Sequence, residues 1–372
     1  MFMEIRNESD FFYKDIKNKI KDKIAADKYE SDGRIPSERE LCSIYDVSRT
    51  TIRRAIDELV EENFLIKRPG KGTYIKYNNT NKHKIISKKN TGNIIFLRCS
   101  HHDPKVSDST ICDDIFYPKI MAGIDKTVTE KKYHCIVKYL YENSLDEDII
   151  DEIIKKADGI ICGELHSKKL LNILLEIDIP LVLINPSVIS SKVNIVEINN
   201  FIGAYDVIDY LVKLGHRKIG FIGGASTSFS AKYRKYGYLE ALNKEGIKID
   251  DSKIISYGWR LEDGYKAAGN LLELKDRPTA IFAVSDLLAI GAINAIKDSG
   301  LLVPDDISVI GFDDIDMASQ IKPSLTTMKV RKFRMGEVAT ELIFEQLNNN
   351  RDYYRKISIS TDLQVRDSVK KL

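Results

Sequence analysis

The sequence has few of the features that mark secreted, membrane or metal-binding proteins. Its five cysteines are scattered and form no Cys-x-x-Cys pair, so neither a disulfide framework nor a structural zinc site is expected. No stretch approaches the roughly 18 consecutive apolar residues of a membrane span. The N-terminus lacks a basic segment followed by an apolar one, which excludes a secretory signal. We therefore expect a cytoplasmic protein that does not enter a membrane.

The chain also lacks an excess of charge and a recognisable catalytic motif. Its 57 Lys and Arg nearly balance 55 Asp and Glu, so any surface for nucleic acid must be local. There is no GxxxxGK[ST] or GxSxG motif and no nucleophile, base or metal constellation. We expect neither an enzyme nor a cofactor. With 372 residues, 43% of them hydrophobic, the chain is long enough for two or three folded units.

Residues 1–77 follow the order of a winged helix-turn-helix domain. Ser37 and Glu40 form an S-x-x-E capping box that starts one helix. Ser48 can cap the next helix, from Arg49 to about Glu62, and two short strands joined by the tip 69–72 follow. A preceding helix is indicated by apolar residues four positions apart, which are Phe12, Ile16, Ile20 and Ile24.

The helix that begins at Arg49 carries the features of a DNA-reading element. Arg49 and Arg53 share one face, opposite the apolar stripe. The first turn, with Ser48, Thr50 and Thr51, offers hydroxyl and backbone N–H groups for phosphate. An arginine in the major groove can donate two hydrogen bonds to guanine. The alternative, a solvated charged face, is disfavoured because the adjacent hairpin is basic, with Lys67, Arg68 and Lys71.

Three segments, 35–41, 47–55 and 70–74, resemble the winged helix of the GntR family. The resemblance implies that Arg49, Thr50, Thr51 and Arg53 read the major groove, and that the wing tip enters the adjacent minor groove. The candidate residues for binding double-stranded operator DNA are Ser37, Arg39, Ser48, Arg49, Thr50, Thr51, Arg53, Arg54, Lys67, Gly70, Lys71, Gly72 and Thr73.

Residues 78–92 are rich in Asn, Lys and Thr and contain no acidic residue. No hydrophobic period is sustained there, so the composition predicts a flexible basic linker.

Residues 93–372 alternate short apolar runs with helical patterns, which predicts a doubly wound α/β architecture. The segment is long for one sheet, so two lobes that share a cleft are expected. The predicted strands are 94–97, 135–139, 159–162, 181–184, 195–198, 218–222, 254–257, 280–284, 308–312 and 326–330.

Polar and aromatic residues directly follow several of these strands, where ligands of open α/β sheets bind. They suit a sugar, which needs side chains for its hydroxyls and an aromatic face for its C–H surface. Asp286 could instead cap a helix, and Trp259 could be plain core. The residues that follow strands are Asn185, Asn199, Trp259, Asp286 and Asp313.

Segments 214–224, 277–283, 303–314 and 323–327 resemble the LacI/GalR repressors and their periplasmic sugar-binding relatives. The resemblance implies a two-lobed body of the periplasmic-binding-protein type over 93–372, which also dimerises. It implies effector contacts by Arg234 and Asp313, with Trp259 as an aromatic at the pocket wall and with Phe116 and Tyr117 where the first helix presents an aromatic. Arg234 could alternatively pair with a surface carboxylate.

A GntR-type head on a LacI-type body is the plan of the arabinose repressors of Gram-positive bacteria. Two departures from the family pattern affect the pocket. Ser285-Asp286 stands where the family usually has Asn-Asp, and Asn199-Asn200 stands where it usually has Asp-Asn. Both changes alter the polarity of the pocket, and hence which ligand it would select.

The sequence therefore predicts a DNA-binding transcriptional regulator that acts as a homodimer. We expect a repressor of carbohydrate-utilisation genes that leaves its operator when a small, arabinose-like sugar binds in the cleft. The alternatives are a phosphosugar, a purine or another non-sugar effector, or a corepressor that tightens DNA binding. A sugar-binding protein of transport or chemotaxis is a further alternative, disfavoured by the attached winged helix.

Overall fold

The computed structural model describes residues 13, 16–21, 23, 34–62, 64–68, 72–75, 91–100, 115–142, 147–177, 179–348 and 353–372. The chain divides into two compact units, one made of Met1–Lys89 with Asn172–Asp178 and the other of the remaining residues. No helix in the described part of the chain is long and apolar enough to cross a membrane. The predicted linker 78–92 lies outside the described residues except for positions 91 and 92.

The head contains two capped helices and an antiparallel hairpin: α1 (Glu38–Tyr45), α2 (Arg49–Glu61), β1 (Leu65–Arg68) and β2 (Gly72–Ile75). The predicted capping box is present, because Ser37 accepts from the Glu40 N–H and Glu40 accepts from the Ser37 N–H. Asp46, with φ of 52°, ends α1 in the left-handed region, which permits the sharp turn into α2. The Ser48 hydroxyl caps α2 by accepting from the Thr51 N–H.

A small apolar core holds the head together. Ile16 and Ile20 are helical, as predicted, whereas Phe12 and Ile24 lie outside the described residues. The apolar stripe of α2 faces this core, which leaves the arginine face free. The core consists of Ile16, Ile20, Ile35, Leu41, Ile52, Ala55, Ile56, Leu59 and Leu65.

The body has two six-stranded sheets, which we call the first and second lobes. The first sheet is parallel throughout, in the order β13-β7-β6-β5-β3-β4. Helices α3 (Pro118–Glu130) and α11 (Lys332–Asn348) pack against it, and α4 (Glu147–Lys156) and α5 (Lys168–Glu176) connect its strands along the chain. The strands are β3 (Asn93–Ser100), β4 (His134–Tyr141), β5 (Gly159–Gly163), β6 (Leu181–Ile184), β7 (Asn194–Ile198) and β13 (Lys356–Ile359).

The second sheet has the order β14-β12-β11-β10-β8-β9, and only β14 runs antiparallel to its neighbour. Its strands are β8 (Ile219–Gly223), β9 (Ile254–Ser256), β10 (Ala280–Ala283), β11 (Ser308–Asp313), β12 (Thr326–Val330) and β14 (Thr361–Gln364). Its helices are α6 (Asn200–Lys213), α7 (Phe229–Lys244), α8 (Leu261–Leu272), α9 (Asp286–Asp298) and α10 (Asp316–Gln320).

The chain passes between the lobes at three places: after β7, between β12 and α11, and between β13 and β14. Helices α3 and α11 approach each other closely through glycine. A Cβ on Gly123 would lie 2.1 Å from the Phe333 carbonyl oxygen, and one on Gly336 would lie 2.1 Å from that of Ile120. Strand β12 of the second lobe is thus followed by α11, a helix that packs closely against α3 of the first lobe.

The predicted doubly wound architecture is confirmed, and every predicted strand is present with ends shifted by a few residues. Strands β13 and β14 were not predicted. The residues of β13 alternate between exposed and half-buried, and those of β14 are half-buried throughout. Both strands therefore lack the continuous apolar run that marks the inner strands.

Candidate functional site

The exposed face of α2 presents two arginines side by side. The side chains of Arg49 and Arg53 are 71% and 55% exposed, while Ile52 and Ile56 on the opposite face are buried. This is the arrangement that the sequence predicts, and it leaves both guanidinium groups accessible to a ligand.

Hydroxyl groups cluster at the N-terminus of the same helix. The Ser48 Oγ lies 2.7 Å from the Thr50 Oγ1 and 2.8 Å from the Thr51 Oγ1. Ser48 and Thr50 are exposed. The first-turn N–H groups and these hydroxyls together form a site that favours an anion.

An acidic residue that the sequence analysis did not single out lies on this face. Glu38, at the start of α1, accepts hydrogen bonds from the Arg53 Nη2 at 3.1 Å and the Arg49 Nε at 3.2 Å. The hydrogen bond from Arg53 is the main cause that lowers the pKa of Glu38. No local pattern points to this contact, because the partners are 11 and 15 residues apart on different helices.

The remaining head candidates have varied surroundings. Arg54 stacks on the ring of Tyr13, at 3.9 Å from its centroid, so it does not join the arginine pair. Lys67 forms an ion pair with Asp57. Ser37 and Arg39 are exposed at the start of α1, and Thr73 is half-buried in β2. Gly72 has a φ of 118°, which favours glycine, while Gly70 and Lys71 lie outside the described residues.

In the body, Arg234 is buried at the centre of the predicted site. It is 2% exposed and donates to the Asn200 Oδ1 at 2.8 Å, to the Val284 carbonyl and to the Asp313 Oδ1 at 3.3 Å. Its guanidinium lies 3.7 Å from the centroid of the Phe312 ring. Burial lowers the pKa of Arg234, which the charge of Asp313 opposes. Arg234 therefore pairs with a largely buried carboxylate and not with one on the surface.

Asp286 is completely buried behind this pair. Its carboxyl group accepts from the Thr327 hydroxyl at 2.5 Å and from the Ile315 N–H at 2.8 Å. Burial, followed by the charge of Asp313, raises the pKa of Asp286 to about 8. The alternative that Asp286 is a helix N-cap is wrong, because Ser285 caps α9 and Asp286 is the first residue of that helix.

The two predicted asparagines hold the backbone at the ends of strands. The Asn185 Oδ1 accepts from the Ile198 N–H at 3.0 Å and so joins the ends of β6 and β7. Asn199 caps α6 by accepting from the Ile202 N–H, and its own N–H donates to the Ile359 carbonyl. Both carboxamide oxygens thus have local structural partners at the crossings between the lobes.

The predicted aromatic residues lie at two places, one in each lobe. Trp259 is half-buried, and its ring covers Gly224, where a Cβ would lie 2.5 Å from the indole. In the first lobe, the rings of Phe116 and Tyr117 meet edge to face with centroids 5.4 Å apart. Tyr117 is 5% exposed, and Gly163 backs it so closely that a Cβ there would lie 2.8 Å from the ring.

Two buried cations near these residues were missed by the sequence analysis. Lys332, the first residue of α11, is 3% exposed and donates to the carbonyls of Asp313 and Asp314. Its ammonium group also lies 5.4 Å from the centroid of the Phe116 ring. Burial lowers the pKa of Lys332. Lys332 comes two residues after the predicted strand 326–330, so its place after a strand end was a signal that the sequence analysis did not use.

Arg98 lies on the side of the first lobe, 3.5 Å from the centroid of the Tyr117 ring. Its Nη1 lies 2.8 Å from the Glu164 Oε2. Arg98 belongs to β3 and Glu164 follows β5, so the pair stands at the carboxyl ends of adjacent parallel strands. An apolar strand that contains one arginine is the only sequence signal for this contact.

Aromatic rings and buried charged groups thus occur in both lobes, and Lys332 joins them by contacting the Asp313 carbonyl of the second lobe and the Phe116 ring of the first. Within the described residues, no group of three or more His, Cys, Asp or Glu side chains could hold a metal ion.

Comparison with known proteins agrees with this arrangement. Residues 12–75 match the family "Bacterial regulatory proteins, gntR family", and residues 208–369 match the "Periplasmic binding protein-like domain". The chain is 34% identical over 242 residues to the HTH-type transcriptional repressor CytR of Escherichia coli (strain K12), which covers 64% of this chain and 70% of CytR. It is 30% identical over 264 residues to the ribose operon repressor of Haemophilus influenzae, covering 70% of this chain and 79% of that protein.

Another relative is the HTH-type transcriptional repressor PurR of Mannheimia succiniciproducens, 35% identical over 222 residues, which are 59% of this chain and 66% of PurR. Among solved structures, a LacI-type transcriptional regulator from Bacillus cereus subsp. cytotoxis matches with a TM-score of 0.67 and 25% identity, covering 75% of this chain and 99% of that one. The complex of the regulator CelR with cellobiose has the same fold, with a TM-score of 0.68 at 24% identity over 87% of this chain and 91% of CelR.

A gntR-type winged helix joined to a two-lobed periplasmic-binding-protein-like body defines a bacterial transcriptional regulator, not an enzyme. The chain belongs to the family of HTH-type transcriptional repressors that includes PurR, CytR and the ribose operon repressor.

Proposed function

We propose that the protein is a cytoplasmic, homodimeric repressor of carbohydrate-utilisation genes, which leaves its operator when a small sugar binds between the lobes. The observation that carries the proposal is the presence, in one chain, of the exposed Arg49–Arg53 face and of the buried Arg234–Asp313 pair at the end of β11.

For DNA, α2 enters the major groove with its arginine face towards the bases. Arg49 and Arg53 donate to guanine O6 and N7, and the hydroxyl cluster at Ser48 and Thr50 meets a phosphate. Lys67, on strand β1 of the wing, adds a cation for the backbone. Two heads of a dimer address two half-sites of a near-palindromic operator.

For the effector, the polar groups around Arg234 and Asp313 bind vicinal hydroxyls, and Trp259 and Phe116 face the C–H surface of the ring. The names of the neighbours support a carbohydrate, because they include a ribose operon repressor and a regulator in complex with cellobiose. An arabinose-like pentose rests on the shared plan of a GntR-type head and a LacI-type body.

A phosphosugar is a second candidate, favoured by one observation. Lys332 and Arg98 bring two further buried cations to the aromatic walls of the cleft. A neutral sugar does not need such charges, whereas a phosphate accepts charge-assisted hydrogen bonds from them.

The signal passes through closure of the lobes. Lys332 stands at a crossing between the lobes and contacts both of them. An exposed ion pair between Lys119 of α3 and Asp316 of α10 also joins the lobes. Coupling between effector and operator sites is typically about 1–3 kcal/mol, and it is reciprocal, so bound DNA weakens effector binding equally.

The test uses Trp259, the single tryptophan of the chain. The protein is titrated with pentoses, hexoses, disaccharides and phosphosugars while its intrinsic fluorescence is followed. A saturable change with one compound identifies the effector, which should then release a duplex selected by the protein from random sequences. If every compound leaves both the fluorescence and the thermal unfolding unchanged, the carbohydrate effector is rejected.

The same selection tests the DNA half separately. The binding constant for the selected duplex should fall steeply with salt, because phosphate contacts release counterions. An affinity that does not change with salt would reject DNA binding by this face.

A further inference from the structure

A carboxylate lies on the face of α2 that we propose meets DNA. Glu38 is 21% exposed in its side chain, and its Oε2 accepts from both arginines, at 3.2 Å from the Arg49 Nε and 3.1 Å from the Arg53 Nη2. A negative charge beside phosphates is repelled by them. If Glu38 favours DNA binding despite this repulsion, it must do so through its effect on Arg49 and Arg53.

The geometry shows what Glu38 does to the arginines. The Glu38 Oε2 accepts from both guanidinium groups, and the Glu38 Oε1 also accepts from the Arg53 Nε at 3.5 Å, so the two exposed groups lie side by side. Free arginine side chains can swing to any nearby phosphate, and such contacts carry no sequence information. When one carboxylate holds both guanidinium groups, their remaining N–H groups keep the fixed fork that matches the acceptors of guanine.

We propose that Glu38 is a positioning residue that sets the sequence specificity of α2, by holding Arg49 and Arg53 for base contacts and away from phosphates. The proposal rests on the proposed DNA-binding function of the head. It assigns to α1 a direct part in selecting the operator, beyond its role of packing under α2.

Among the described residues of the head, Asp57 and Glu61 do not reproduce this arrangement. Asp57 pairs with Lys67 of the wing strand and contacts neither arginine through a described hydrogen bond. Glu61 is exposed at the last residue of α2, the end opposite to the hydroxyl cluster. Glu61→Gln therefore removes the same charge from the head without touching the arginine pair, and it serves as the matched control.

The experiment uses the full chain in four forms: wild type, Glu38→Gln, Glu38→Asp and Glu61→Gln. Each selects binding sequences from a pool of random duplexes. The affinity of each for the wild-type selected duplex and for random-sequence duplex of the same length is then measured over a range of KCl concentrations. Circular dichroism of each form shows that its head is folded.

We expect Glu38→Gln to bind random duplex about 3–10-fold more tightly than wild type. Its plot of log K against log salt should be steeper by about 1–2, because each freed arginine that contacts a phosphate adds roughly 0.9 to the slope. The preference for selected over random duplex should fall about tenfold or more. Glu38→Asp keeps the charge but shortens the reach, so it should lose specificity too. Glu61→Gln should behave as wild type.

Three outcomes overturn the inference. One is equal behaviour of Glu38→Gln and Glu61→Gln. Another is full specificity in Glu38→Asp, which would make charge alone sufficient. If Glu38→Gln does not fold, the specificity of Glu38→Asp tests the inference in its place. The third is loss of preference at a single base pair with an unchanged salt slope on random duplex, which would make Glu38 a direct base contact. If wild type itself selects no sequence, the DNA-binding proposal fails instead.

Discussion

The head and the body each contain an arginine–carboxylate arrangement, and the two differ in almost every physical respect. In the head, Arg49 and Arg53 are 71% and 55% exposed around Glu38. In the body, the side chains of Arg234 and Asp313 are 3% and 13% exposed. Exposed pairs contribute little to stability. Buried pairs are costly to break, since removal of one partner leaves an uncompensated charge.

The difference matches two kinds of binding. In the proposed function, a surface that meets DNA needs accessible guanidinium groups whose outer N–H groups can donate to the bases while Glu38 holds the other side of each group. A cleft that must recognise a small molecule needs side chains held in place before the ligand arrives. Arg234 is held from three sides by Asn200, Val284 and Asp313. The comparison therefore predicts opposite effects of the same kind of substitution in the two units.

The largest effect is expected where the buried pair is broken. Arg234→Met removes the buried guanidinium that pairs with Asp313 and donates to Asn200 and the Val284 carbonyl, so the body should lose about 3–5 kcal/mol of stability. Urea unfolding followed by Trp259 fluorescence measures this loss. A change below about 1 kcal/mol would show that the pair is as dispensable as the exposed one.

A pH dependence should follow from the buried acid of the body. The folded-state pKa of Asp286, about 8, lies above its unfolded value of about 3.9. Between these values the folded state keeps a proton that the unfolded state releases, so this group makes stability decrease as pH rises from about 4 to 8. Asp286→Asn should remove a slope of up to about 1.4 kcal/mol per pH unit.

The measurement is a set of urea unfolding curves from pH 5 to pH 7.5 for wild type and Asp286→Asn. Parallel plots of unfolding free energy against pH for the two proteins would contradict the raised pKa. The variant keeps an acceptor for the Thr327 hydroxyl, so its folded structure should persist.

A smaller effect is expected from the cap of α2. Ser48→Ala removes the hydroxyl that accepts from the Thr51 N–H and should cost about 1 kcal/mol of head stability. Thermal unfolding followed by circular dichroism checks the cost, and Ser48→Asp, which can cap, should restore stability. Equal stability of the alanine and aspartate variants would show that the cap contributes nothing.

The smallest effect on stability is expected for Arg53→Ala in the head. Because Arg53 is exposed, the unfolding transition should stay where it is in wild type. Affinity for the selected duplex should nevertheless fall about 5–150-fold, which corresponds to one lost bidentate base contact. A fluorescence anisotropy titration measures the fall, with Glu61→Gln as control. An unfolding transition shifted as strongly as in Arg234→Met would remove the contrast between the two units.

Much of the fold could be predicted because it depends on near neighbours in the chain. The capping box at Ser37 and Glu40, the cap at Ser48 and the arginine face of α2 involve residues three or four positions apart. The inner strands of both sheets have continuous apolar runs since they are covered on both faces. Strands β13 and β14 escaped prediction because edge or half-exposed strands need no such run.

The site was predicted less completely, for the same physical reason. Strand ends predicted Asp313 and Trp259, and the family resemblance implied Arg234. Neither signal was used to predict Lys332. This residue contacts Asp313 and Phe116 because the chain crosses between the lobes just before it. Nor did the sequence show which of Ser285 and Asp286 caps the helix. Ser285 is the cap, and the Asp286 carboxyl group accepts from the hydroxyl of Thr327, 41 residues away.

The sequence by itself determined the order of helices and strands, the division into a winged head and a two-lobed body, and which face of α2 carries arginine. These properties follow from periodicity and capping, which act within one or two turns of the chain. Only the tertiary structure decided the partners of the charged groups. Arg234 meets Asp313 across 79 positions and Asn200 across 34, and Glu38 bridges from one helix to the next. Charge pairing acts through space, so its partners emerge only after the chain has folded.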